Sequence, residues 1–244
     1  MIIDRNAVTQ EVPIDPETGK PYLNTVAAIQ VSANGVGSEV SPYVAQAVEV
    51  IRESGLPQET NALFTNVEGD LDDVLKVAGE AAKKLAERKA GAVIQEVLAE
   101  NYTGMLIVIG ADTMVVLDGK IFGKPRSASD GKHMLRQLSG RTHEVITAVS
   151  VWMVAAPNAE DVSLGFRTFA DISRVTFRDL TDEEITDYLR KGESFDKAGA
   201  YAIQGEGAAL VDHYDGSLDT IIGLPTTRLI KEFPDLVNAE AAEC

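Results

Sequence analysis

Residues 105–125 read MLIVIGADTMVVLDGKIFGKP, and this stretch narrows the possible folds more than any other. An apolar run over 105–109 has the length and bulk of a buried strand. It ends at Gly110, with Asp112 and Thr113 directly after it. A second apolar run over 114–117 reaches Asp118-Gly119, the dipeptide of a tight hairpin turn. Residues 120–122 form the return strand, and Gly123-Lys124-Pro125 closes the unit. One carboxylate and one lysine thus flank a rigid hairpin that could hold both beside one cleft. A carboxylate able to bind a metal or a water, near a lysine able to meet a phosphate, suits phosphoryl chemistry. Solvated turn residues are the plainer reading of the same pair.

The rest of the chain alternates helical and strand patterns. Residues 26–31 form a first strand, followed by the loop SANGVGSEVSP over 32–42. Ser41-Pro42 is a helix start, with Val44, Ala47, Val48 and Ile51 at helical spacing and Gly55 as the stop. A Ser- and Gly-rich loop before a helix could cradle a phosphate, but it matches no phosphate-loop signature. Residues 59–67 form a second strand, and Asp70 caps a long helix running to Leu98. After the hairpin, Ser129 or Asp130 caps a helix that buries Met134, Leu135 and Leu138. Strands over 145–154 and 166–177 flank a hairpin loop at 155–165. Thr181 with Glu184 makes a capping box, and Gly192 ends that helix. A last helix lies near 226–233. Frequent hairpins between the helices predict an α/β fold with a mixed sheet.

Composition excludes several function classes. The net charge of −16 disfavours a nucleic-acid polymer or an anionic membrane as partner, since both need a basic face. A nucleotide remains open, because a few lysines or a divalent ion can dominate one pocket. Hydrophobic content of 45% with 25% charged residues is that of a soluble globular protein. There is no apolar run of membrane-spanning length, and residues 1–24 do not have the layout of a signal peptide. The lone Cys244 leaves no internal disulfide and suggests a reducing cytoplasm. With one Cys and only His133, His143 and His213, no zinc pattern exists. Gly-x-Ser-x-Gly, Walker A and dinucleotide fingerprints are absent. What remains is Glu68, Asp112, Lys124, Asp196 and Lys197 near Gly-rich turns. That set suits metal-assisted hydrolysis of a phosphoanhydride by water. His143 reads as a turn histidine or a ligand contact, and Tyr201 as a core aromatic.

Residues 84–235 resemble the Maf family of nucleoside triphosphate pyrophosphatases. The resemblance rests on VIGADTMVVLDGKIFGKP, MLRQLSGRTHEVITAVSV, VTFRDLTDEEITDYLRKGESFDKAGAYAIQGEGAALV and GSLDTIIGLP, in that order. It implies an elongated fold like that of inosine triphosphate pyrophosphatases, with a central cleft. It further implies a homodimer, Mg²⁺ or Mn²⁺, and cleavage of a nucleoside triphosphate between its α and β phosphates. Asp112 takes the place of the catalytic carboxylate that activates water or binds the metal. Lys124 and Lys89 match phosphate-contacting lysines. Thr113 and Gln204 match positions linked to base choice, in the pairing of the branch acting on dTTP and UTP. Glu68 falls near the early acidic metal ligand. Ser41 and Pro42 fit the Ser-x-Ser-Pro-Arg-Arg loop, but Tyr43 and Val44 stand where its arginines belong. Each lost charged contact is worth ~1.5–3 kcal/mol. Catalysis is therefore expected from Asp112, Lys124 and Lys89, with Ser41, Thr113, Lys197 and Gln204 binding substrate and Asp112 and Glu68 binding metal.

Residues 27–78 resemble a second family, ferredoxin-like small proteins of βαββαβ fold, some of which bind thiamine. SPYVAQAVEVIRESGL and VEGDLDDVL carry that likeness, and the last strand of the unit is missing. The implied division is an arm (1–24), an N-terminal α/β lobe (25–100), a Maf-like lobe (101–236) and a tail (237–244). Two functions follow: a metal-dependent pyrophosphatase, or a non-catalytic protein binding a small thiamine-like ligand on a Maf-like scaffold.

Overall fold

The computed structural model describes residues 25–29, 49–56, 58–60, 65–69, 71–158 and 161–234. Strands β1 (Thr25–Ile29), β2 (Gln58–Thr60) and β3 (Thr65–Gly69) form a small sheet in the order β1-β3-β2, antiparallel throughout. Residues 49–53, between β1 and β2, are helical. This is the succession expected for the first part of a βαββ unit. Helix α1 (Leu71–Ala99) then leads away from it.

The second sheet holds β4 (Gly104–Leu117), β5 (Lys120–Phe122), β6 (Thr142–Ala156), β7 (Ser163–Phe177) and β8 (Val211–Asp215). Their order is β5-β4-β6-β7-β8. The α/β class holds, but every strand pair among the described residues is antiparallel. The parallel neighbours of a mixed sheet are missing for a topological reason. Helix α2 (Ala128–Leu138) carries the chain from β5 to the far side of β4, so β4 separates the two strands that run the same way.

Periodicity explains the packing on both faces of this sheet. Val74, Ala78, Ala81, Ala82 and Ala86 are fully buried on α1 and meet Met114, Val116, Ile146 and Ala148 from one face. Val115, Leu117 and Val145 face the other way. They pack with Leu135 and Leu138 of α2 and with Ile185 and Leu189 of α3 (Asp182–Arg190). Thr181 caps α3 with Glu184 as the reciprocal partner, as its sequence predicts. The cap of α2 is Ser127, two or three residues earlier than expected, and it accepts from Asp130 N at 3.1 Å. Short helices α4 (Leu218–Ile222) and α5 (Thr226–Glu232) finish the described chain. Among the described residues, no helix is long and apolar enough to cross a membrane.

Two features of the sheet differ from the sequence reading. β4 is one strand of 14 residues, where the sequence suggested two runs broken at Gly110. Met105, Ile107 and Ile109 are exposed on it, so the first run is not a buried strand. Gly110 interrupts the apolar pattern for steric reasons. A Cβ there would lie 2.3 Å from Ala86 O and 2.9 Å from Ala90 N, so β4 crosses α1 backbone to backbone. His143 is a core residue of β6 and not a turn histidine. Its Nε2 is 2.8 Å from Tyr201 Oη, and Phe177 and Tyr201 meet its ring edge-on.

Gly110→Ala is expected to cost about 2–3 kcal/mol by overpacking this crossing, read as a lower urea midpoint; an unchanged midpoint would refute the backbone contact. Burial lowers the His143 pKa to about 4 from 6.5. The folded state therefore resists protonation, and stability present above pH 6.5 drains away as pH falls towards 4, by about 3 kcal/mol. In His143→Phe that acid-side loss should disappear from denaturation midpoints measured across this range.

Candidate active site

The crossing of β4 over α1 sets the first part of the site. Because the two backbones touch at Gly110, Lys89 on α1 runs alongside the next residues of β4. Its Nζ donates to Ala111 O at 3.2 Å and to Asp112 Oδ1. The Asp112 side chain is 13% exposed, so it has lost most of its water. Burial raises its pKa above the ordinary 3.8, against the pull of Lys89 and, at longer range, Lys124. Asp112 Oδ2 has no hydrogen-bond partner among the described residues.

The hairpin and the Gly-rich segment after α3 supply the second part. Lys124 stands two residues past the end of β5, after Gly123. Gly199 N donates to Gly123 O at 3.0 Å, which fastens the Gly-rich segment onto the hairpin. Gly199 has φ +71 and presses on Val115, where an added Cβ would come within 3.1 Å. This contact brings Asp196 and Lys197 beside Lys124. Lys197 Nζ donates to Asp196 Oδ2 at 2.5 Å, and that bond is the main cause of the lowered Asp196 pKa.

These groups line one cavity of about 340 Å³. β5 pairs only with residues 115–117 of β4, so the cavity wraps the strand edge just before that pairing begins. Asp112 reaches it from the α1 face and Thr113 from the other face. Lys89, Asp112, Lys124, Asp196 and Lys197 make its polar part; Val145, Tyr201, Ile203, Ile221 and Ile222 make an apolar part. Gly223 closes that apolar end, near enough to Thr113 that a Cβ would lie 3.3 Å from Thr113 Oγ1.

Behind the apolar end stands a polar network that the sequence did not reveal. Thr113 Oγ1 is 2.9 Å from Thr147 Oγ1, which donates to Thr220 O at 2.7 Å. Thr220 Oγ1 donates to Asp171, which also accepts from Arg228 at 2.9 Å. Asp219 fastens α4 to α5, accepting from Thr226 Oγ1 and Thr227 N, each at 2.8 Å. Burial works to raise its pKa, but these donors and Ser217 hold the carboxyl well below the usual carboxylate range.

Of the residues expected from sequence, Asp112, Lys89, Lys124, Thr113 and Lys197 converge on this cavity. Gln204 does not line it. Its side chain is exposed at the start of a 3₁₀ turn, next to Ile203, which does line it. Ser41 lies outside the described residues. Glu68 is in β3 opposite Val26, and its side chain lies outside the described part. Tyr201 is a core aromatic, as expected, and also forms cavity wall. Thr147 could not be found from sequence because its partner is set by strand register, nor Thr220 because α4 has to dock against β6 before its carbonyl meets Thr147.

A family model described as Maf-like protein matches residues 49–236. Among curated relatives, the dTTP/UTP pyrophosphatase of Bacillus velezensis is 48% identical over 157 residues, covering 63% of this chain and 75% of the relative. That of Clostridioides difficile is 41% identical over 178 residues, 73% of this chain and 87% of the relative. That of Bacillus mycoides is 36% identical over 193 residues, 75% of this chain and 93% of the relative. The match starts earlier than residue 84 and takes in part of the segment that resembled a thiamine-binding family. The comparisons lend that second likeness no support. The chain belongs to the Maf family.

Proposed function

We propose that the protein is a nucleoside triphosphate pyrophosphatase acting on dTTP and UTP, as its relatives' names state for them. The observation that carries this reading is the meeting of Asp112 with Lys89, Lys124 and Lys197 in one cavity. The three ammonium groups exceed the two carboxylates on the same wall by one positive charge, which leaves the rest of a triphosphate's charge to a divalent ion, and an apolar recess beside them suits a base. Lys89 takes Asp112 Oδ1, which leaves the other carboxylate oxygen, Oδ2, for a water or an ion.

The chemistry follows from that oxygen. A water held on Asp112 Oδ2 attacks the α-phosphorus. Its oxygen forms the new P–O bond while the bond from the α-phosphorus to the bridging oxygen breaks. Pyrophosphate leaves, and the water's proton passes to Asp112. A carboxyl pKa raised by burial makes Asp112 a better proton acceptor than an exposed aspartate. The lysines hold the departing phosphates in line.

The donor set also fits a divalent ion. Asp112 and Asp196 are the carboxylates on the cavity wall, and Mg²⁺ is commonly held by one or two carboxylates plus substrate phosphates. Among the described residues no group of three or more His, Cys, Asp or Glu stands ready without substrate. Asp112 and Asp196 would hold Mg²⁺ or Mn²⁺. When bound, the ion supplies charge neutralisation at the phosphates. A homodimer in the cytoplasm completes the reading; the exposed Met105, Ile107 and Met153 form an apolar strip that a second copy could cover.

Pyrophosphate release from a panel of nucleoside triphosphates with Mg²⁺ or Mn²⁺ tests the proposal. Release from dTTP and UTP is expected, with Asp112→Asn slower by roughly 10²–10⁴-fold. Absence of release by the folded protein would overturn it. In metal-free protein, a carboxyl NMR titration should place the Asp112 midpoint above 3.8. In Lys89→Met, which removes a charge that lowers it, the midpoint should rise further.

A further inference from the structure

Thr113 and Thr147 oppose each other across β4 and β6, with their hydroxyl oxygens 2.9 Å apart. Thr147 is fully buried, and its Oγ1 also lies 2.7 Å from Thr220 O. A carbonyl oxygen has no proton to give, so that bond takes the single hydroxyl proton of Thr147. The bond between the two threonines can then run only one way: Thr113 donates and Thr147 accepts. The Thr113 proton thus points into the sheet, and only lone pairs of its Oγ1 remain for the cavity.

The end of this chain is fixed. Thr220 is itself fully buried. Its N–H donates to Asp219 Oδ1 at 3.0 Å, and its hydroxyl donates to Asp171. The carbonyl therefore cannot turn away from Thr147 without breaking the anchoring of α4. Gly223, at φ +120, leaves the space over Thr113 open where a side chain would crowd it.

We propose that the Thr113–Thr147–Thr220 chain locks the Thr113 hydroxyl as a hydrogen-bond acceptor, so that the site selects pyrimidines carrying an N–H on the ring nitrogen N3. Uracil and thymine present such a group at N3. Cytosine presents a lone pair there, which would face the lone pairs of Thr113. Thr147 is the positioning residue: it touches no substrate and sets the polarity of the residue that does. This inference rests on the pyrophosphatase reading for its ligand, with the base lodged at the Thr113 end of the cavity.

Turnover and binding are read separately. The first readout is the ratio of kcat/KM for UTP over CTP; the second is the ratio of dissociation constants for their α,β-methylene analogues, which resist cleavage. The wild type should prefer uracil by roughly 10- to 100-fold, the effect of pairing an acceptor with a donor rather than with a second acceptor. Thr147→Val releases the Thr113 proton for donation to cytosine, and both ratios should fall by roughly tenfold, with CTP gaining. Thr147→Ser keeps the relay and should keep both ratios. Should Thr147→Val fail to fold, Thr113→Val must lose the preference instead. Ratios in Thr147→Val within twofold of wild type, a failed serine rescue, or a Thr113→Val variant that keeps the preference would each overturn the proposal. Equal wild-type binding of the two analogues would also overturn it. Selective binding of the uracil analogue without pyrophosphate release would sustain it while refuting the catalytic reading.

Discussion

The backbone contact between β4 and α1 at Gly110 is the constraint on which the site depends. A strand and a helix approach this closely only where side chains are absent or small, and here Gly110 faces Ala86 and Ala90. The contact puts Lys89 against Asp112, so a carboxylate that burial would neutralise keeps a counter-charge. Burial and the ammonium act in opposite directions, and their balance leaves a carboxylate more basic than usual. One Cβ at position 110 would separate the two elements and relax that balance.

The second organising feature is the edge of β4 that β5 leaves unpaired among the described residues. β5 covers only residues 115–117, so residues 111–114 form a wall reached from both sides of the sheet. Strand alternation then divides the work between neighbours. Asp112 faces α1 and the lysines, while Thr113 faces the apolar recess and the α4 network. A single dipeptide thereby joins the phosphate side of the cavity to its base side. The Gly-rich segment after α3 completes the polar side through the Gly199–Gly123 bond.

Local signals in the sequence carried much of this far, and long-range ones did not. The Asp118-Gly119 turn, the Thr181 capping box and the apolar spacing of α1 and α2 act within a few residues, so each was legible. Asp112 and Lys124 were legible as a pair because one hairpin holds both. The continuity of β4 was hidden because Gly110 reads as a break unless α1 is known to lie against it. The exposure of 105–109 was hidden because an apolar run does not say which elements cover it. Thr147 was invisible for a related reason: its partner is chosen by the β4–β6 register. Gln204 was placed at the cavity by resemblance, yet the turn that begins there leaves its side chain exposed and puts Ile203 on the wall.

The account makes one central claim: water held by Asp112 attacks the α-phosphorus and expels pyrophosphate. Hydrolysis of UTP in ¹⁸O-labelled water, followed by ³¹P NMR of the products, tests it most directly. The label should appear in the nucleoside monophosphate, with unlabelled pyrophosphate as co-product. Label in pyrophosphate, or release of orthophosphate with a nucleoside diphosphate, would contradict it.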